Sequence, residues 1–213
     1  MRAQLRCHDV ACWAYCLMPN HVRLILTPAD EAGLARAVGE AHRRYAAYIG
    51  AQGRWTGHLF QARFASVAMD EDHLLAAFGY IARNPVKASL AAEAADWPWS
   101  SAAAHLAGHS TPYVDVEPAL SRIDDFAAFV ADEASDQARW SDLLRAEQVG
   151  RPVGAKAWIE DLEKQYGRTF SLSNRGPRPL PRRVATYLAI DIVSPKPVSP
   201  KPSEPSECGS PPM

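Results

Sequence analysis

The stretch from Tyr15 to Thr27, Tyr-Cys-Leu-Met-Pro-Asn-His-Val-Arg-Leu-Ile-Leu-Thr, constrains this chain more than any other. It reads as the end of one strand, a tight turn at Pro19-Asn20, and a second strand from His21. Side chains alternate along a strand, so His21, Arg23, Ile25 and Thr27 share one face and Val22, Leu24 and Leu26 the other. The Val/Leu/Leu face is a core face. An imidazole and a guanidinium side by side on the opposite face, directly after a turn, mark a site. Val10 to Met18 alternates ahead of the turn, with Val10, Cys12, Ala14, Cys16 and Met18 on one side. Both its sides are apolar, which suits a strand covered on two faces.

Helical periodicity follows. Pro28 and Asp30 mark a start, and Leu34, Ala35, Val38, Ala41, Tyr45 and Tyr48/Ile49 recur until Gly50 and Gly53. His42, Arg43 and Arg44 lie off that stripe, as a solvated face or as phosphate contacts. Next comes Gly57-His58-Leu59-Phe60-Gln61-Ala62-Arg63-Phe64, a loop entering a strand at 63–69. Aromatics interleaved with cations suit stacking on bases and pairing with phosphates, although one aromatic anchoring a loop has the same look. A further helix starts at Asp70, a capping residue with Glu71 and Asp72 in the first turn. Leu74, Leu75, Phe78 and Ile81 form its buried stripe. At 100° per residue, His73, Ala77, Tyr80 and Asn84 fall beside it on one face. Pro85 is expected to end the helix and to bias Asn84 out of helical geometry.

Several of these segments resemble the single-tyrosine DNA transposases, and most closely the REP-associated tyrosine transposases. Met18-Pro19-Asn20-His21 with its apolar run resembles their His-hydrophobic-His strand. Gly57 to Phe64 is similar to a Gly-His-Leu-Trp-Gln-x-Arg-Phe segment. Tyr80-Ile81-Ala82-Arg83-Asn84-Pro85-Val86-Lys87-Ala88 matches the motif Tyr-Ile-x-x-Asn-Pro-Val-x-Ala throughout. Asp96-Trp97-Pro98-Trp99-Ser100-Ser101 resembles the segment closing the catalytic domain, and the order Gly150-Arg151-Pro152-Val153-Gly154, then 157–163, then Gly167-Arg168 and Arg175-Gly176-Pro177-Arg178, resembles the family's C-terminal segment, a small helix with a basic end. The likeness covers roughly residues 10–178.

The resemblance implies an α+β fold: a ferredoxin-like antiparallel sheet with helices on one or both faces, followed by a helical C-terminal region. It implies Tyr80 as the nucleophile and His21 and Asn84 as ligands of a divalent metal, Mg²⁺ or Mn²⁺. It further implies single-stranded or hairpin DNA as partner, contacted by Arg23, Arg43, Arg44, His58, Gln61, Arg63, Lys87 and Arg151. Whether two copies pair is left open. Arg23 stands where the family has its second metal-ligating histidine. Guanidinium has no lone pair to give and repels a cation by about 4 kcal/mol per unit charge at 4 Å and an effective dielectric of 20. The metal is therefore in doubt in this chain. Two outcomes are open: Arg23 binds phosphate directly, giving DNA binding without efficient cleavage, or it replaces part of the metal's charge, giving slow metal-independent nicking. The first is favoured. The rival functions are a non-catalytic DNA-binding or regulatory remnant and an inert fragment.

The likeness also lacks something. Family members carry a strand and helix ahead of the hairpin, that strand lying inside the sheet, whereas barely ten residues precede Val10. The expected remedies for the open backbone edges are an upstream start, a partner chain, or decay.

Charge is distributed in blocks. Residues 1–92 carry 10 Lys/Arg against 7 Asp/Glu, residues 93–150 carry 3 against 11, and residues 151–213 carry 10 against 6. Basic ends around an acidic middle suit a nucleic-acid partner, since phosphate contacts need local charge. From Pro112 to Arg145 the chain is helical, with Leu120, Ile123, Phe126, Phe129 and Val130, then Trp140, Leu143 and Leu144 in period, and offers no catalytic constellation. Cys7, Cys12, Cys16 and Cys208 form no paired framework; Cys12 and Cys16 read as small core residues on one side of a strand in a reducing compartment, with the cytoplasm as default. No apolar run is long enough for a membrane span. The organisation expected is a catalytic-type domain at 1–110, a helical accessory or DNA-binding region at 111–178, and a Pro-rich tail at 179–213. That tail is expected to be disordered, with room for a short element between Val184 and Val193.

Overall fold

A computed structural model describes residues 1–54, 56–132 and 137–170, and the backbone of 186–191. Helix α1 (Arg2–Cys7) precedes strand β1 (Val10–Leu17), which turns into β2 (His21–Pro28). Helix α2 (Gly33–Gly53), strand β3 (Ala65–Ala68) and helix α3 (Glu71–Lys87) follow. A 3₁₀ turn at Ala94–Asp96 leads to α4 (Ala102–Ala107), α5 (Glu117–Leu120), α6 (Phe126–Ala131), α7 (Gln137–Val149), α8 (Lys156–Tyr166) and strand β4 (Thr186–Asp191). The fold is α+β, and no described helix is long and apolar enough to cross a membrane.

The sheet is antiparallel in the order β1-β2-β4-β3. β4 lies between β2 and β3, with Leu188 opposite both Leu24 and Ser66. The inner position that the sequence leaves without a strand is thus filled by the chain's own last described element. Neither an upstream segment nor a partner is needed to satisfy those edges. Thr186–Asp191 fall within the 184–193 window where the sequence left room for a short element; the rest of 179–213 lies outside the described residues.

Both sheet faces are covered. Leu24 and Leu26 pack with Leu34, Ala37 and Val38 of α2 and Leu5 of α1. Ile25, Val67 and Met69 pack with Leu74, Phe78 and Ile81 of α3 on the other side. The alternation read for β2 holds. That for β1 does not, because the register slips between Cys12 and Ala14. One extra residue flips all that follows, so Val10 and Cys12 join the α2 side while Ala14, Cys16 and Met18 join the α3 side. The two cysteines are buried and free on opposite faces. The last turns of α2 also depart from expectation, since Tyr45 and Tyr48 are exposed.

The α3-side core continues without a break into Ala119, Ile123, Phe126, Trp140 and Leu143, so α5 to α7 share it with residues before 110. Two devices hold this side. Asp70 caps α3 by accepting from the His73 backbone N–H at 3.1 Å, and its other oxygen accepts from the Ala155 N–H at 2.7 Å. The Arg83 guanidinium, 4% exposed, donates to the carbonyls of Phe129 at 3.2 Å and Asp132 at 3.0 Å, closing the end of α6. The Trp97–Ser101 segment seals the outer edge of β1. Leu17 N–H donates to Trp99 O and Ser101 N–H to Tyr15 O, both at 2.9 Å, and Trp97 Nε1 donates to Leu17 O at 3.0 Å. Tryptophans flanking a proline here serve the backbone edge.

Candidate active site

Four side chains singled out in the sequence come together as two neighbouring pairs, His21 with Asn84 and Arg23 with Tyr80. β2 presents His21 and Arg23 to the face covered by α3, and α3 carries Tyr80 and Asn84 one turn apart toward them. The Asn84 Nδ2 donates to His21 Nε2 at 3.2 Å, while His21 Nδ1 donates to Asn20 Oδ1 at 2.8 Å. Arg23, 9% exposed, is close enough to the Tyr80 hydroxyl to pull its pKa down against the effect of burial. Pro85 does not stop α3, which runs to Lys87, so Asn84 keeps helical geometry and is buried. The proline removes a single N–H from the ladder; the tether of Asn84 to His21 and the burial of Pro85 hold that last turn in place.

Two further residues come from α7, where the sequence offers no site signal. The Trp140 indole stacks on the Tyr80 ring with centroids 3.3 Å apart and planes 10° from parallel. Glu147 Oε1 lies 3.4 Å from Arg23 Nη1. In sequence Trp140 is one of a periodic apolar set and Glu147 one acid among many; only the packing of α7 on α3 gives them a role. Burial raises the Tyr80 pKa above its usual value near 10, Arg23 offsets part of this, and Glu147 and Cys16 add to the rise. The phenol is therefore a reluctant anion. It is held between a cation that would favour its ionised form and an indole that keeps water from one face.

A metal centre fits this donor set poorly. Two ligand atoms about 2.1 Å from one ion at a right angle are about 3 Å apart, and His21 and Asn84 have that spacing once the amide presents its oxygen. The third position is the obstacle: Arg23 offers no lone pair, and its charge engages the nearest carboxylate, Glu147. Among the described residues no group of three His, Cys, Asp or Glu is placed to hold an ion.

The expected DNA contacts divide in two. Arg23 belongs to the Tyr80 cluster, and Lys87 is exposed one turn beyond Asn84. Arg43, His58, Gln61 and Arg63 instead surround a cavity between α2 and residues 57–64, on the α2 side of the sheet. Arg43 and Arg44 both pair with Glu40, at 2.7 Å. Arg151, half-buried, follows α7 near the Met69–Val153 bridge, in neither group.

Fold and site together define a class: an α+β protein with a phenol, a guanidinium and an amide-tethered imidazole converging on one sheet face under a helix. No family model, curated protein or solved structure matches the chain. The likeness to tyrosine transposases thus stands on the motifs quoted from the sequence.

Proposed function

We propose that this chain is a transposase-like protein that binds single-stranded or hairpin DNA, with Arg23 gripping a phosphate beside Tyr80 in a site descended from a DNA-nicking centre. The convergence of Tyr80, Arg23 and the His21–Asn84 pair carries this reading. Residues from a strand and a helix about sixty positions apart meet with the polarity a phosphodiester requires. A fixed, always-charged guanidinium binds phosphate oxygens directly. In the ancestral reaction the phenol oxygen attacks phosphorus and leaves a 5′-phosphotyrosyl link and a free 3′-hydroxyl. Here the half-buried phenol with its raised pKa and the unsuitable third ligand position argue for retention of the DNA over its cleavage.

A suicide hairpin substrate assayed for binding and for a covalent protein–DNA band, with and without Mn²⁺, tests this. The wild type is expected to bind and to give little or no band. Arg23→His supplies a second imidazole beside His21 and frees Glu147, and is expected to raise a Mn²⁺-dependent band at least about tenfold, an effect that Tyr80→Phe removes. Failure of the wild type to bind any single-stranded or hairpin DNA would overturn the proposal.

A further inference from the structure

The cavity between α2 and residues 57–64 takes no part in the chemistry at Tyr80 and lies across the sheet from it. Its volume, 810 Å³, is in the range of small-molecule sites. Its construction is uneven in an informative way. On the α2 side the wall is nearly bare, since a Cβ built on Gly39 would meet nothing within 4 Å. Aromatic rings stand around His42: Phe60 stacks on it at 4.1 Å with planes 19° apart, and Phe64 meets it edge-on at 6.3 Å. The His42 Nε2 is buried and has no hydrogen-bond partner among the described residues. That nitrogen is closed off from the cavity, so the ring contributes stacking and not a polar edge. Arg43 and Arg63 also line the cavity, and with Arg44 nearby they outnumber the one carboxylate, Glu40, that both α2 arginines share.

A flat aromatic platform and surplus cations together select one ligand chemistry. We propose that this cavity binds a single unstacked base of single-stranded DNA together with its adjoining phosphate. The base stacks against the aromatic wall formed by Phe60 and His42, and the phosphate lies toward Arg63 and Arg43. Stacking of this kind tolerates any base, because every base has a π-face. The inference rests on the DNA-binding reading above and extends it, giving the strand a second hold remote from the phenol.

The test measures anisotropy of a labelled single strand with the full chain, for the wild type, Gly39→Phe, Arg63→Glu and Arg23→Ala, with melting temperatures recorded for each. Gly39→Phe adds a ring where the structure has open space. It is expected to weaken binding about tenfold without lowering the melting temperature. Arg63→Glu should weaken binding by at least as much and reduce its salt dependence. An abasic nucleotide series should lose affinity at one position in the wild type, and that loss should vanish in Gly39→Phe. Wild-type affinity in both folded cavity variants, with loss in Arg23→Ala, would overturn this inference and leave the Tyr80 reading standing. Loss in the cavity variants with full binding by Arg23→Ala would do the reverse. No binding by the wild type would sink both.

Discussion

At the scale of single residues, one buried and one half-buried histidine give the protein a pH dependence separable from its carboxylates. His105, 2% exposed, sets Nδ1 2.8 Å from Ser101 O and Nε2 3.0 Å from Trp13 O. Burial lowers its pKa below 6.5 and outweighs the two carbonyls, which pull the other way; burial also lowers that of His42. An unfolded histidine takes up a proton near pH 6.5 while these two resist it. Their contribution to stability is therefore complete above that pH and is lost as the pH falls toward their folded values. Glu40, held down to about 2 by Arg43 and Arg44, is unaffected in that window. Thermal melting should therefore show stability declining between pH 7 and pH 5, with a shallower slope in His105→Asn. An equal slope in that variant would remove His105 from the account. The residue scale was also where the sequence was most legible. Strand and helix periodicity puts His21 with Arg23 on one face and Tyr80 with Asn84 on another, while only the motif resemblance singled out Tyr80 and Asn84 as more than packing residues. His105 was not legible, since its carbonyl partners belong to Trp13, far away in the chain, and to its own helix.

At the scale of elements, α7 acts as a cover. It packs Trp140 on the phenol and sets Glu147 against Arg23, so a phosphate reaching either group must displace this helix locally. Trp140→Ala should cost about 3–5 kcal/mol of stability, as for other buried aromatics. It should also speed nitration of Tyr80, measured by peptide mapping under conditions where the variant remains folded. An unchanged nitration rate would mean that Trp140 does not shield the ring. The sequence predicted α7 as a helix from Trp140, Leu143 and Leu144, but an apolar stripe says only that something is covered. It cannot say that the thing covered is a tyrosine. The bulge in β1 was hidden for a similar reason: residues 10 to 18 are apolar on both sides, so a one-residue slip leaves no trace in the pattern.

At the scale of the whole molecule, the sheet depends on β4. The backbone of Thr186–Asp191 pairs with His21–Leu26 on one side and with Ala65–Ala68 on the other. Without it the hairpin and β3 are separate pieces, and β2, which bears His21 and Arg23, becomes an edge. Removing residues from 185 onward should erase cooperative unfolding, a loss comparable to a domain's entire stability of about 5–15 kcal/mol. Circular dichroism melting of the truncated and full chains checks this, and a truncated chain that melts like the full one would show β4 to be dispensable. The sequence indicated that an inner strand was wanting and that 184–193 had room for a short element. It could not join the two, because nothing in local pattern specifies a pairing partner some 160 residues away.

That long-range pairing has a consequence for biosynthesis. β4 leaves the ribosome after every other described element, so β2 and β3 emerge with open flanks and wait through most of translation for their neighbour. A nascent chain of this design needs shelter from aggregation until its final segment arrives. Any message cut short before that segment yields a polypeptide that has every reactive side chain and no frame to hold them.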